Sequence, residues 1–366
     1  MVSSIRAPRF ILFTEPYMSP SLPAMKKTAF PTNVSISLAS AALLFLLGLN
    51  AASADEGVKI TEGDGKLRIE LDGKLFTEYL YNSGKSDFFP IFYPVIGPGE
   101  VPMTRDYPMK ERVGESNDHP HHRSLWFGHH DINGVDFWAV QESRAQPLGK
   151  TLHQKFTKIE SGKDSGTFTS ENNYVDPDGK IVCSDERTIV IHKRDPETDA
   201  RILDFAITFK ASNGDVVFGD NKDGCMAIRL HPSMRIDQQR KDVKNPIPAE
   251  GHILNSEGVR DTPTWGKRAD WVDMTGPVNG QPVGVAIFDH PSNLRHPTWW
   301  HARSYGLISA NPFGKHDFEN LKDDPKAGNY TLKDGQSLTF RYRFYFHKGD
   351  ENQGKVAEHY QAFSKE

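Results

Sequence analysis

The sequence predicts an all-β protein: a large antiparallel β-sandwich, of supersandwich or jelly-roll kind, with one short C-terminal helix. Three observations predict it. Period-two alternation is clear in Arg341-Tyr-Arg-Phe-Tyr-Phe-His347, where Phe340, Tyr342, Phe344 and Phe346 define one buried face. Turn signals, Asp72-Gly73, Asp176-Pro-Asp-Gly179 and Asn213-Gly214, separate successive apolar runs as hairpin loops do. Helical patterns do not alternate with the strands, which excludes a parallel α/β sheet. Self-similarity at the roughly 20–50-residue period of propellers and solenoids is also missing.

Taken in order, the chain opens on a leader. Met25-Lys26-Lys27 is a basic start, Ala41-Ala-Leu-Leu-Phe-Leu-Leu-Gly-Leu49 an apolar run, and Ala52-Ser-Ala54 a small-x-small cleavage site. The expectation is a signal peptide begun at Met25 and cut after Ala54. Residues 1–24 are then an over-extended start, and the location is periplasmic or extracellular. The apolar run is shorter than the roughly 20 residues of a spanning helix. Residues 55–366 are read as a single β-sandwich domain.

Strands follow at 66–71 and 75–81. A long Pro- and Gly-rich loop, 90–108, carries Phe92 and Tyr93 and should fold over something. Further strands are expected at 167–175, 181–192, 201–210, 216–218, 225–231, 283–288, 306–310 and 338–346. Residues 351–363 read as a helix packing on an edge. Cys183 and Cys225 are the only cysteines, and pairing or separate burial explains them equally well. A formal charge of −4 without a basic block argues against nucleic acid and anionic membrane as partners.

The densest chemistry lies at 115–138. Of the fifteen histidines, His119, His121, His122, His129 and His130 crowd together here, among Asp118, Asp131, Asp136, Arg123, Trp126 and Trp138. A core strand has no use for so many titrating groups, nor a solvated loop for so many large rings. Such a segment reads as a pocket wall. A second cluster, 288–313, repeats the mixture with Asp289, His290, His296, Trp299, Trp300, His301 and Arg303.

Four strings carry a resemblance: Asp118-His-Pro-His-His-Arg-Ser-Leu-Trp-Phe-Gly128, Pro102-Met-Thr-Arg-Asp-Tyr-Pro108, Trp265-Gly-Lys-Arg-Ala269 and Phe288-Asp-His-Pro291. They are similar to the bacterial family commonly labelled "methane oxygenase PmoA", otherwise a domain of unknown function, over residues 60–362. His130 departs from the pattern, which has Gly at that place. The label itself conflicts with physics, because membrane monooxygenase subunits of that name are bundles of spanning helices and this chain reads as strand. Methane oxidation is therefore rejected. The resemblance implies an exported protein with a sandwich like that of the galactose mutarotases, and a small-molecule or oligosaccharide ligand.

Within that expectation the residues take roles. His121 or His122, opposed by His290 or His301, would supply acid–base catalysis on a modified or oxidised sugar, as lyase, hydrolase or epimerase. Arg123, Arg303 and Asp289 would orient its polar groups, and Trp126 and Trp299 would pack its ring. Residues two apart share a face in an extended segment, so His119 and His121, with Asp118, could instead chelate a divalent metal such as Zn, Ni or Fe. The alternative from another class is a non-catalytic carbohydrate-binding or surface interaction domain, in which Trp126, Trp138, Trp299 and Trp300 form a stacking platform.

Overall fold

Alternation builds two antiparallel sheets that close on one another. The computed structural model describes residues 56–85, 87–141, 146–238 and 243–366. The predicted leader lies outside the described residues. One sheet has nine strands in the order β1 (Val58–Gly63), β2 (Lys66–Leu71), β3 (Lys74–Leu80), β4 (Ile91–Val95), β5 (Leu125–His129), β11 (Gly224–Arg229), β17 (Leu307–Asn311), β16 (Thr298–Trp300) and β13 (Arg268–Ala269). The other has eight, β12 (His252–Asn255), β14 (Trp271–Val278), β15 (Gln281–Asp289), β19 (Ser337–Lys348), β9 (Arg201–Lys210), β8 (Ile181–His192), β7 (Ser165–Val175) and β6 (Lys150–Glu160). A two-stranded ribbon pairs β10 (Val216–Phe218) with β18 (Tyr330–Leu332). This is the antiparallel sandwich that the alternation foretold.

The core lies between the sheets and is largely aromatic. Across it Phe76 meets Phe346 at 5.9 Å, Phe127 meets Phe209 at 5.5 Å, and Tyr79 meets Phe168 at 4.9 Å between ring centroids. Each such buried ring contributes on the order of 2–3 kcal/mol relative to leaving it in water. Phe340, Tyr342, Phe344 and Phe346 are all buried, as their spacing predicts.

Two expectations are corrected. The loop at 90–108 begins as β4, an internal strand of the nine-stranded sheet, because Ile91, Phe92, Tyr93 and Val95 are buried on both of its faces. The C-terminal helix α2 (Val356–Phe363), which follows a four-residue helix α1 (Lys315–Phe318), starts five residues late. It packs on a face rather than an edge: Tyr360 and Phe363 lie 5.7 and 6.0 Å from Phe288, on the outer side of the eight-stranded sheet. Tyr345 and His347 on that side of β19 are therefore buried too, where simple alternation makes them solvent-facing. Of the two readings left open for Cys183 and Cys225, separate burial holds: both are free and buried.

The outer side of the nine-stranded sheet matters most for function. Register sets Trp126 between Ile91 and Ala227, and Ala227 opposite Ser309. Residue 128 must be glycine here: a Cβ would come 2.8 Å from the Phe137 carbonyl oxygen and 3.5 Å from Trp138 Cα. That close approach lets Trp138 lie against Trp126, 5.0 Å between centroids.

Candidate functional site

Residues 104–124 cross this outer side and carry the first cluster onto the two tryptophans. His119 has φ 46 and Ser124 φ 60, left-handed backbone that side chains other than glycine rarely adopt. Between them the His122 N–H donates to the His119 carbonyl at 3.0 Å, closing a turn. The turn stacks His119 on His122 at 4.7 Å and His122 on Trp126 at 5.5 Å, with His121 edge-on to His122 at 4.4 Å.

Two buried arginines hold the turn in place. Arg105 donates to Asp118 Oδ1 at 2.6 Å and to the His119 carbonyl at 2.9 Å. Arg229, from β11, reaches the same Oδ1 at 3.3 Å and His122 Nδ1 at 2.9 Å. Burial alone would raise the Asp118 carboxyl, but His119, Arg229 and Arg105 together hold it well below the usual carboxylate range. Arg229 in turn is pushed down to about 9 by burial and by the charge of Arg105, and stays protonated at neutral pH.

A guanidinium can only donate, so His122 Nδ1 must accept and the ring proton sits on Nε2. Burial, with the charges of His121 and Arg229, pushes His122 well below its ordinary value and keeps it neutral.

Tyr305 links this group to the second cluster. It lies in the turn joining β16 to β17, stacked on His119 at 5.0 Å, with Arg229 over its ring at 4.5 Å and Arg303 at 5.3 Å. His301 lies four residues before it. A carbonyl can only accept, and Lys222 O stands 2.7 Å from His301 Nδ1, so this ring carries its proton on Nδ1 and its lone pair on Nε2. Burial pushes His301 down to about 4, although Asp223, 3.9 Å away, pulls the other way. Beside Asp223, whose carbonyl accepts from the His130 N–H, His130 Nδ1 sits 2.7 Å from Asp136 Oδ2. The face thus offers two neutral imidazoles of opposite tautomer, with guanidinium groups at hand for developing negative charge.

The residues singled out in the sequence divide accordingly. His119, His121, His122, Trp126, His301 and Arg303 come to this one face. Four others do not. Arg123 turns away, donating to Asp87 Oδ1 at 2.6 Å and to the Lys85 carbonyl, over Phe88 and Phe89. Asp289 is buried at the end of β15, where it accepts from Asn293, His296 and the Thr298 N–H. His290 bonds Ser292 and meets Phe363 edge-on at 5.2 Å. Trp299 is fixed by Glu319 through its indole N–H and by Arg268 at 4.6 Å over its ring.

The chelate and the stacking platform need correction as well. Among the described residues no three of His, Cys, Asp or Glu gather as metal ligands. Asp118 is spoken for by two guanidiniums, and His119 and His121 stand edge to face, 5.7 Å between centroids. Trp126, Trp138, Trp299 and Trp300 are all at least 96% buried, so no indole face is free to stack on a sugar; Trp126 is a floor beneath His122. Sequence reasoning missed Arg105, Arg229, Tyr305 and Asp223. Arg229 left a signal, since a lone arginine stands in the apolar run Cys225-Met-Ala-Ile-Arg-Leu230. A second group, Cys225 with His129 Nδ1 at 3.6 Å and Asn311 Oδ1 at 3.7 Å, is sealed between the sheets. Burial pushes that thiol far up and the imidazole down to about 4, so no thiolate nucleophile forms there.

Fold and site together define a class: an antiparallel β-sandwich protein with an imidazole and guanidinium site on the outer face of its larger sheet. The chain belongs to the family of unknown function DUF6807, whose pattern matches residues 66–361. This membership overturns the methane-oxygenase label drawn from the sequence motifs, and among the described residues no helix is long and apolar enough to cross a membrane. No curated protein matches the chain. Three solved structures resemble it distantly. A polysaccharide lyase aligns at 12% identity over 82% of this chain, TM-score 0.29, and the chain spans 34% of that protein's length. A galactose mutarotase-related enzyme from Lactobacillus acidophilus gives 11% identity, covering 80% of this chain and 98% of its own, with TM-score 0.27. A GalM/aldose epimerase homologue from C. elegans gives 6%, 80%, 99% and 0.27 in the same order. Likenesses this distant carry no activity across to the chain.

Proposed function

We propose that this protein is a carbohydrate-active acid–base enzyme that moves a proton on a modified or oxidised sugar. The step that suits the site best is removal of a proton from a carbon beside a carbonyl or carboxyl group, which begins both elimination and epimerisation. His301 Nε2 takes the proton. His122 Nε2–H donates a hydrogen bond to the oxygen on which charge develops, and Arg229, bonded to the far side of the same ring, steadies that charge. His121, half-buried at the rim, can relay a proton with solvent. Hydrolysis would use the same pair on a bridging oxygen and a water.

One observation carries this reading: two neutral imidazoles of opposite tautomer, each set by a partner of fixed hydrogen-bonding role, on one face.

The test is exchange of carbon-bound hydrogen in deuterated water, run over neutral, keto and uronate sugars and read by mass spectrometry. The expected result is deuterium uptake or elimination on an oxidised sugar, reduced at least about 100-fold in His122→Gln and His301→Gln. Exchange at full rate in both variants, or none on any sugar, would refute the assignment.

A further inference from the structure

A cleft of about 530 Å³ adjoins the histidine site, lined by Thr262, Trp265, Lys267, Arg303, Ser304 and Phe318 among others. Two contacts connect it to that site. Arg303 lies over the Tyr305 ring, which stacks on His119, and Phe318 meets His301 edge-on at 6.2 Å.

Its charge is one-sided. Among the described residues no carboxylate lines it, whereas Lys267 and Arg303 both do; the Asp237 carboxylate lies behind Ser304, whose hydroxyl it accepts from at 3.0 Å. Two other clefts of similar size mix signs: one pairs Arg112 and Lys244 with Glu115 and Asp118, another pairs Lys348 and Lys355 with Asp195 and Glu197. Among the described residues neither the Lys267 ammonium nor the Arg303 guanidinium has a hydrogen bond or ion pair. For Lys267, which is exposed, that is ordinary. For Arg303 it is not, since most half-buried guanidiniums here, such as Arg112, Arg194 and Arg295, are engaged by carboxylates or carbonyls.

The remaining lining fits a sugar ring. Trp265 and Phe318 form an aromatic pair, 5.4 Å between centroids, and both are half-buried. Thr262 adds a hydroxyl group at the edge, and the Ser304 hydroxyl, which donates to Asp237, can still accept. An aromatic corner beside two unneutralised cations recognises a ring that carries an anionic oxygen group, carboxylate or sulfate ester, because a guanidinium binds such groups through two parallel N–H donors.

We infer that this cleft is a subsite for an acidic sugar unit next to the reacting one, and that the substrate is therefore an anionic oligosaccharide rather than a single neutral sugar. The inference rests on the proton-transfer reading only for placing the reacting ring at His122 and His301. Binding in the cleft needs neither imidazole.

Calorimetric titration with short uronate, sulfated and neutral oligosaccharides of matched linkage tests it, on the unaltered chain, on Arg303→Gln and on Lys267→Gln with Arg303→Gln. At least one acidic oligosaccharide should bind about tenfold or more tighter than its neutral counterpart, as expected for one charge-assisted pair. That preference should weaken with added salt and vanish in the double variant, whose melting temperature checks that it folds. Preference for uronate over sulfate, or the reverse, identifies the anionic group. Three outcomes overturn the subsite: no acidic oligosaccharide binds, neutral ones bind as tightly, or the preference survives in the double variant. His122→Gln and His301→Gln, titrated in parallel, separate the two proposals. Acidic preference without hydrogen exchange on any sugar leaves the subsite standing and removes the chemistry. Exchange on a neutral sugar without acidic preference does the opposite.

Discussion

His129, His231 and His301 lie in different parts of the fold, yet burial pushes each of them down to about 4. In the unfolded chain a histidine protonates near pH 6.5. Between about 6.5 and about 4 the unfolded chain therefore binds more protons than the folded one, and stability falls as pH falls through that window. At its lower end each of the three costs on the order of 3 kcal/mol. His296 and His347 oppose the trend. Burial lowers them, but Asp289 and Asp273 outweigh it and raise both, so the stability they add is present in acid and lost as pH rises past their raised values. Burial lowers His122, His153, His290 and His359 as well, so seven lowered imidazoles against two raised ones predict net acid destabilisation. Denaturant midpoints measured across the window should drop with pH, and His301→Gln should flatten the drop. A midpoint that holds steady or rises in acid would contradict the burial described for these rings.

At the scale of elements, α2 and the end of β15 form a structural unit remote from the chemistry. Phe363→Ala removes a ring packed on Phe288 and His290 and should cost about 3–5 kcal/mol. Asp289→Ala strips the acceptor from His296, Asn293 and the Thr298 N–H, and should cost a comparable amount. Neither change should alter the rate constant of the protein that remains folded. A selective loss of turnover with normal melting would return Asp289 to the site. The same elements show what the sequence could and could not disclose. β8 and β9 fall where alternation puts them because only one of their faces is buried. β5 is buried at all five positions, so it has no period to read, and its one histidine, His129, reads as part of a pocket wall. Asp289 and His290 were drawn toward the site by nearness in sequence to His301. Between them the chain leaves the eight-stranded sheet at β15 and enters the nine-stranded sheet at β16, so the second cluster straddles a crossover. Only the part beyond the crossover reaches the site.

Across the whole molecule, the sandwich gives its two outer faces different tasks. The eight-stranded sheet carries α2 on part of its outer side, while the nine-stranded sheet carries a layer of arginine, histidine and tryptophan on its own. That layer is assembled from three separate stretches, 104–138, 222–229 and 301–305, each contributing groups whose neighbours fix their protonation. Residue types and their crowding made its existence legible; Arg229 and Lys222 O, which set the two tautomers, come from neighbouring segments that only the fold brings near. In the proposed chemistry His122 and His301 form an opposed pair about one ligand. Nitrogen NMR of histidine-labelled protein at neutral pH, before and during titration with an acidic oligosaccharide, tests it most directly. The expected result is two neutral rings, protonated on Nε2 at His122 and on Nδ1 at His301, whose signals move together along one binding curve. A charged imidazolium at either position, the same nitrogen protonated in both, or a shift confined to one ring would contradict it.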